Sequence, residues 1–184
     1  MKKVFDRNGI ETEIITVGNK AIRGCVGCRS CLKAGKCVFD DEVNKIAVKF
    51  AECDALVLAS PVYYASANGT LSALLDRLFF STRFDKRMKV GASVAVARRG
   101  GCSATFDQLN KYFTISQMPV VSSTYWNMVH GAVASDVAED KEGIQCMRIL
   151  GKNMAYFLKC IEAGKKNGVK APEPEKRDVT NFIR

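Results

Sequence analysis

Cys25, Cys28, Cys31 and Cys37 follow one another as C-x2-C-x2-C-x5-C. Thiolates at such short spacing are soft ligands for iron–sulfur clusters or zinc. Gly24, Gly27 and Gly35 lie among them and favour a tightly wrapping loop over a helix. Two overlapping C-x2-C bites suit the corners of a cube held apart by an inorganic core. A zinc ion would instead need three thiolates from the seven residues Cys25–Cys31 to converge on one point. In the compact ferredoxin run, C-x2-C-x2-C-x3-C-P, the last cysteine serves another cluster. Here the last gap is five and Val38 follows, so the longer return lets Cys37 close the same site. The spacing leads to the expectation of a [4Fe–4S] cluster, with a metal-free reduced loop and a zinc site as the alternatives.

A second set of residues suits a flat ring. The backbone of Ser60-Pro61-Val62-Tyr63-Tyr64 and of Asn68-Gly69 can approach such a ring closely. Pro61 fixes its own φ and biases Ser60 towards extended geometry. Tyr63 or Tyr64 can stack on the ring. Gly100-Gly101 again permits close backbone approach, and Arg98 and Arg99 can balance a phosphate or a reduced, anionic flavin. Each loop alone reads as an ordinary turn; three on one sheet edge point to a binding site.

The elements that must position these residues alternate. Strands are expected at Glu11–Val17, Ala55–Ser60, Val90–Ala97 and Val120–Tyr125. Helices are expected over Glu42–Cys53, capped by Asp40-Asp41, and over Leu71–Phe80, Thr105–Ser116 and Ile144–Ala163. Gly18–Val38 reads as a long functional loop, and Trp126–Asp140 as irregular. Alternation of this kind implies an α/β fold, a doubly wound parallel sheet in three α/β/α layers. The unusual loops then fall beyond the carboxyl ends of strands, where open sheets bind ligands. Domain organisation reads as one unit over residues 1–164 and a basic arm over 165–184.

Composition bounds the rest. At 184 residues and 47% hydrophobic, the chain can bury one core. No apolar run reaches membrane-spanning length, and the first residues lack a signal-peptide core. Eight cysteines without an export signal suggest a reducing, cytoplasmic setting. Cys53, Cys102, Cys146 and Cys160 read as small buried hydrophobes. The net charge of +9 lies partly in Arg83–Lys89 and partly after Lys165, as solvated faces. No nucleic-acid motif or interleaved aromatics accompany it. His130 is the only histidine and Gly-x-Ser-x-Gly is absent, which argues against hydrolytic triads. Asp76-Arg77 reads as a structural ion pair or cap.

Ser60–Tyr64 through Leu75-Asp76-Arg77 resembles the second flavin loop and helix of the flavodoxin-like NADPH-dependent FMN reductases. The Cys25–Cys37 spacing followed by Asp40-Asp41 is similar to the iron–sulfur flavoproteins of that group. Gly100-Gly101 and Tyr125–Gly131 fit its later loops. The resemblance covers about residues 4–165. It implies a five-stranded flavodoxin-like sheet, bound FMN, a homodimer or homotetramer with flavin sites near subunit contacts, and a cluster exchanging electrons with FMN. The front departs from the family: Met1–Val4 resembles the start of a first strand, yet Phe5–Gly9 already looks like the end of the following helix. A unit of roughly thirty residues carrying the phosphate loop is expected to be missing, with omission of a segment as the favoured reading.

The expected function is an FMN-dependent oxidoreductase. It would take electrons from NAD(P)H or a donor protein and pass them through the cluster or to a small acceptor. Its partners would be small molecules or a redox protein, not nucleic acid or membrane. The alternatives are a non-enzymatic electron carrier and a metal-free or zinc-binding interaction module.

Overall fold

The computed structural model describes residues 1–176, 178–180 and 182. Its elements run α1 (Lys2–Arg7), α2 (Cys31–Ala34), α3 (Glu42–Glu52), β1 (Ala55–Tyr63), β2 (Ser66–Ala67), α4 (Gly69–Ser81), β3 (Val90–Ala97), α5 (Cys102–Thr114), β4 (Met128–His130), α6 (Ala134–Glu139) and α7 (Lys141–Lys166). The sheet order is β2-β1-β3-β4. β1 and β3 are parallel over Ala55↔Val90 to Pro61↔Val96, and β3 and β4 are parallel from Ala95↔Met128 to Ala97↔His130.

Period-two alternation sends neighbouring residues to opposite faces of the sheet. Leu56 and Leu58 of β1 join one core with Val43, Ile46 and Phe50 of α3, Leu74, Leu75 and Leu78 of α4, and Leu109 and Phe113 of α5. Val90, Ala92 and Val94 of β3 join the other core with Phe5 of α1 and Leu150 and Met154 of α7. Helices thus cover both faces, and the three-layer α/β architecture follows. Gly91 and Ser93 carry the first face of β3. The Ser93 hydroxyl donates to Asn110 Oδ1 at 2.6 Å, and Gly91 lies under the Phe113 ring. A Cβ on Gly91 would stand 2.7 Å from that ring. Gly91→Ala is therefore expected to cost about 1–3 kcal/mol of stability, read as a lower urea midpoint.

Several expectations need correction. Glu11–Val17 is not a strand, because a strand needs a neighbour to fill its ladder. Among the described residues, the far side of β1 carries only the two-residue antiparallel β2. Ile14 is exposed, while Val17 and Ile22 rest on the α3 side of the core. Among the described residues the sheet accordingly has four strands rather than five. The front residues form helix α1, where a strand start was expected at Met1–Val4; Val4 packs against Gly151 of α7. The expected strand Val120–Tyr125 keeps only a bridge, Gly91↔Val120. Pairing resumes at Met128, so this side advances eight residues while β3 advances four. The surplus loops out and carries Tyr125 and Trp126 into solvent. Residues 126–140, expected as irregular, hold β4 and α6. Cys160 is exposed on α7 rather than buried. The reading of residues 165–184 as an arm falls partly outside the described residues.

Candidate functional site

The segment Ser60–Tyr63 is the end of β1 rather than a loop, because the chain reverses at once and pairs Val62↔Ala67 and Tyr63↔Ser66. The reversal occupies Tyr64 and Ala65, with φ of 50° and 56°. Consecutive left-handed residues make the kind of turn that hairpin twist favours and that Asn-Gly usually fills. Tyr and Ala pay for that shape in steric strain. Gln108 of α5 offsets it: its Oε1 accepts from the Ser66 hydroxyl and the Ala67 N–H, both at 2.8 Å. Ser60 is buried; its hydroxyl donates to Pro61 O at 2.7 Å and accepts from Asn68 N–H at 2.8 Å. The Asn68 side chain then accepts from the N–H groups of Thr70 and Leu71, capping α4.

The turn after β3 meets this hairpin. Gly101 has φ of 90°, and a Cβ there would lie 2.8 Å from Val62 Cγ1 and 2.9 Å from Ala65 Cα. Only a glycine permits that contact. Gly69 and Gly100 instead face open space, and Arg98 and Arg99 are exposed beside them. Tyr63 and Tyr64 are exposed at the tip, as are Tyr125 and Trp126 on the outlying loop. The structure therefore brings the Val62 and Gly101 turns into contact and leaves Gly69 and Gly100 open.

The cysteine loop lies against α4. Cys25, Cys28, Cys31 and Cys37 all line one small pocket, whose floor includes Phe39, Arg77 and Phe80. Cys31 is buried, Cys37 half-buried, and Cys25 and Cys28 exposed. Hydrogen bonds from Ser30 hold the Cys28 thiol below its ordinary pKa, towards the thiolate. Among the described residues, no three His, Cys, Asp or Glu side chains gather closely enough to hold a single metal ion. Asn44 fixes the return of the loop: its Oδ1 accepts from Cys37 N–H at 3.0 Å, and its Nδ2 donates to Cys37 O and Phe39 O.

Three features escaped the sequence. Asp76 and Arg77 do not pair with each other. Asp76 accepts from the Tyr112 hydroxyl at 2.6 Å, while Arg77 reaches inward to Cys37 and Asp41. Residues 36 and 40 positions apart leave no local signal of such contact. Next, Cys102, first in α5, lies 4.0 Å from His130 Nε2, and His130 Nδ1 is 3.8 Å from Asp140. Burial pushes the Cys102 thiol up, and the contacts at 4.0 and 3.8 Å are too long to link the trio as a nucleophile with its base. Finally, Asn127 is fully buried, and among the described residues neither of its side-chain polar atoms has a partner. Asn127→Leu is expected to raise stability by about 1–3 kcal/mol, because it removes an unmet desolvation cost; a higher thermal midpoint is the check.

These arrangements bear on two cofactors. For an iron–sulfur cluster the residues fit: four thiols share one pocket beside a buried cation. For FMN, the structure shows that the rim turns meet at Val62 and Gly101 and leave the Gly69 and Gly100 backbone open. Arg98 and Arg99 are exposed at the end of β3, next to Gly100. The described residues at the front form α1 rather than the strand and phosphate loop of the resembled family.

The family model for NADPH-dependent FMN reductase matches residues 1–133. The chain is 36% identical over 162 residues to an iron–sulfur flavoprotein of Methanocaldococcus jannaschii, covering 84% of each chain. Its fold is similar to that of RosB with a bound 8-demethyl-8-formylriboflavin-5'-phosphate, at a TM-score of 0.66 and 15% identity, covering 99% of this chain and 83% of that one. It is also similar to a flavodoxin from the domain Archaea, at a TM-score of 0.54 and 13% identity, covering 85% and 84%.

Proposed function

Because the chain belongs to the NADPH-dependent FMN reductase family, in its iron–sulfur flavoprotein subgroup, we propose that it is an FMN-dependent oxidoreductase with a second redox centre on its cysteine loop. Its electron donor is NAD(P)H or a reduced protein. Its acceptor is reached through a [4Fe–4S] cluster or is a small oxidant at the rim. The observation that carries this reading is the convergence of Cys25, Cys28, Cys31 and Cys37 on one pocket against α4, the helix that begins at the rim turn.

The chain's own groups have the following tasks. Pro61, Val62 and the Asn68-Gly69 backbone, backed by the buried Ser60, join the Gly100-Gly101 turn they touch in one continuous face for the ring. Tyr63 and Tyr64 are placed to cover it from solvent. Arg98 and Arg99 supply positive charge to the phosphate or to the ring when it carries extra electron density. Gln108 holds the hairpin tip rigid, which fixes the wall against which the ring must lie. Bound FMN supplies interconversion of paired and single electrons, and the protein supplies orientation and electrostatics. No side chain is required as an acid or base.

The test is an anaerobic absorption spectrum with iron and acid-labile sulfide assays, followed by NAD(P)H oxidation with an artificial acceptor. Flavin bands, about four irons per chain and hydride oxidation are expected. A colourless protein that binds neither group after reconstitution overturns the reading. The exposed aromatics Tyr63, Tyr64, Tyr125 and Trp126 favour a second reading, a carrier docking a redox protein. Full cofactor content without NAD(P)H oxidation selects it.

A further inference from the structure

Arg77 is a buried cation whose Nε, Nη1 and Nη2 all donate hydrogen bonds. It is 1% exposed. Nη1 and Nη2 form a fork onto Asp41, at 2.6 and 2.9 Å. Nη1 also donates to Arg23 O at 3.2 Å and Nη2 to Phe39 O at 3.4 Å. The remaining bonds go to sulfur: Nε and Nη2 both donate to Cys37 Sγ, at 3.2 and 3.1 Å. The fork onto Asp41 and the carbonyl bonds already anchor the loop. Two N–H groups on one sulfur are surplus to that task. They are the arrangement by which a protein adjusts a thiolate that carries a metal centre. The position along α4 adds a second point. Arg77 follows Gly69 by eight residues, about 12 Å of helix, so one rigid rod joins the rim turn to the sulfur it holds.

We propose that Arg77 is a positioning residue for the cluster, holding the Cys37 sulfur as one fixed corner and making the cluster easier to reduce. This rests on the cluster reading given above. Reduction adds negative charge to the cluster. A buried cation hydrogen-bonded to one of its sulfurs stabilises that charge, because net charge and N–H···S bonds set cluster potentials. Asp41 acts in the opposite sense. It orients the fork, and its own charge, on the adjoining edge of the guanidinium, partly offsets it.

The full chain, reconstituted anaerobically with iron and sulfide, is titrated electrochemically with EPR detection of the reduced cluster. Arg77→Gln is expected to shift the midpoint to more negative potential, and Arg77→Lys to a value between that and the wild type. Asp41→Asn keeps the helix cap but removes the negative charge, and is expected to shift the midpoint to more positive potential. Opposite signs at the two partners are the signature, since a purely structural clamp would make both variants lose iron alike with no such split. Where Arg77→Gln takes up too little iron, Arg77→Lys and Asp41→Asn decide the sign. A wild type that takes up no iron and sulfide overturns the cluster reading and this inference together. A loaded wild type whose potential the variants leave unmoved, or move in the same direction, overturns this inference alone.

Discussion

Asp41→Ala is expected to lower the unfolding free energy by about 3–5 kcal/mol, the usual cost of stranding one partner of a buried ion pair. Asp41 itself is 25% exposed and can be given up to water. Arg77 is almost wholly enclosed and cannot be. The same carboxylate caps α3 by accepting from Val43 N–H at 3.1 Å, a contribution of about 1 kcal/mol. Asp41→Asn retains the cap and should cost less. The double variant Asp41→Ala with Arg77→Leu should lose less than the sum of the single variants, because no charge is then left unpaired. The effect also has a pH signature. Burial pushes the Asp41 carboxyl up, but hydrogen bonds from Arg77 and Val43 outweigh it and hold the group below the ordinary carboxylate range. A depressed pKa gives stability that is present at neutral pH and lost as pH falls through the folded value. The gap between wild type and Asp41→Ala should therefore shrink from pH 7 towards pH 3 in urea titrations. A gap under about 1 kcal/mol at pH 7, no more than the cap alone supplies, would show that the pair contributes nothing net.

Gly101→Ala is the second large effect, expected to cost about 2–5 kcal/mol. Part is the left-handed backbone, about 1–2 kcal/mol for any residue with a Cβ. Part is overpacking, about 1–3 kcal/mol. A methyl at Gly101 meets Val62 Cγ1 and the Ala65 backbone, not the far end of a flexible side chain. The hairpin can move aside only by surrendering the bonds from Ser66 and Ala67 to Gln108. FMN retention is accordingly expected to fall at least tenfold, equivalent to about 1.4 kcal/mol of binding. Gly100→Ala is the control, since nothing lies within 4 Å of its Cβ position. It should leave the urea midpoint unchanged and weaken FMN only through contact with the ring. Equal flavin content in Gly101→Ala and wild type would remove the hairpin contact from the site.

Elements fixed by their own neighbours in sequence were legible. The apolar run Val90–Ala97 matches β3 residue for residue, and Asp41 caps α3 as expected, while α4 starts at Gly69 behind an Asn68 cap, two residues ahead of the expected Leu71. Elements fixed by distant partners were not. Glu11–Val17 has the residue types of a strand, but only a neighbouring ladder could make it one. Val120–Tyr125 leaves the sheet after a single bridge because β3 offers too few paired positions before Met128. The cysteine spacing announced a shared site, yet the guanidinium beneath it could not be read. Arg77 on its own helix looks like half of a local pair with Asp76. Only the packed layers show that one turns outward and the other in.

The outlying loop that carries Trp126 has a practical consequence. This is the chain's one tryptophan, 54% exposed, with its ring 4.9 Å from that of Tyr125. Its fluorescence therefore monitors the outlying loop ahead of β4 rather than the interior. Emission will answer to a yellow ligand arriving nearby, by quenching and energy transfer, and so can serve as a built-in binding gauge. The same signal is a poor witness to global unfolding, for which amide exchange along Val90–Ala97 is the better clock.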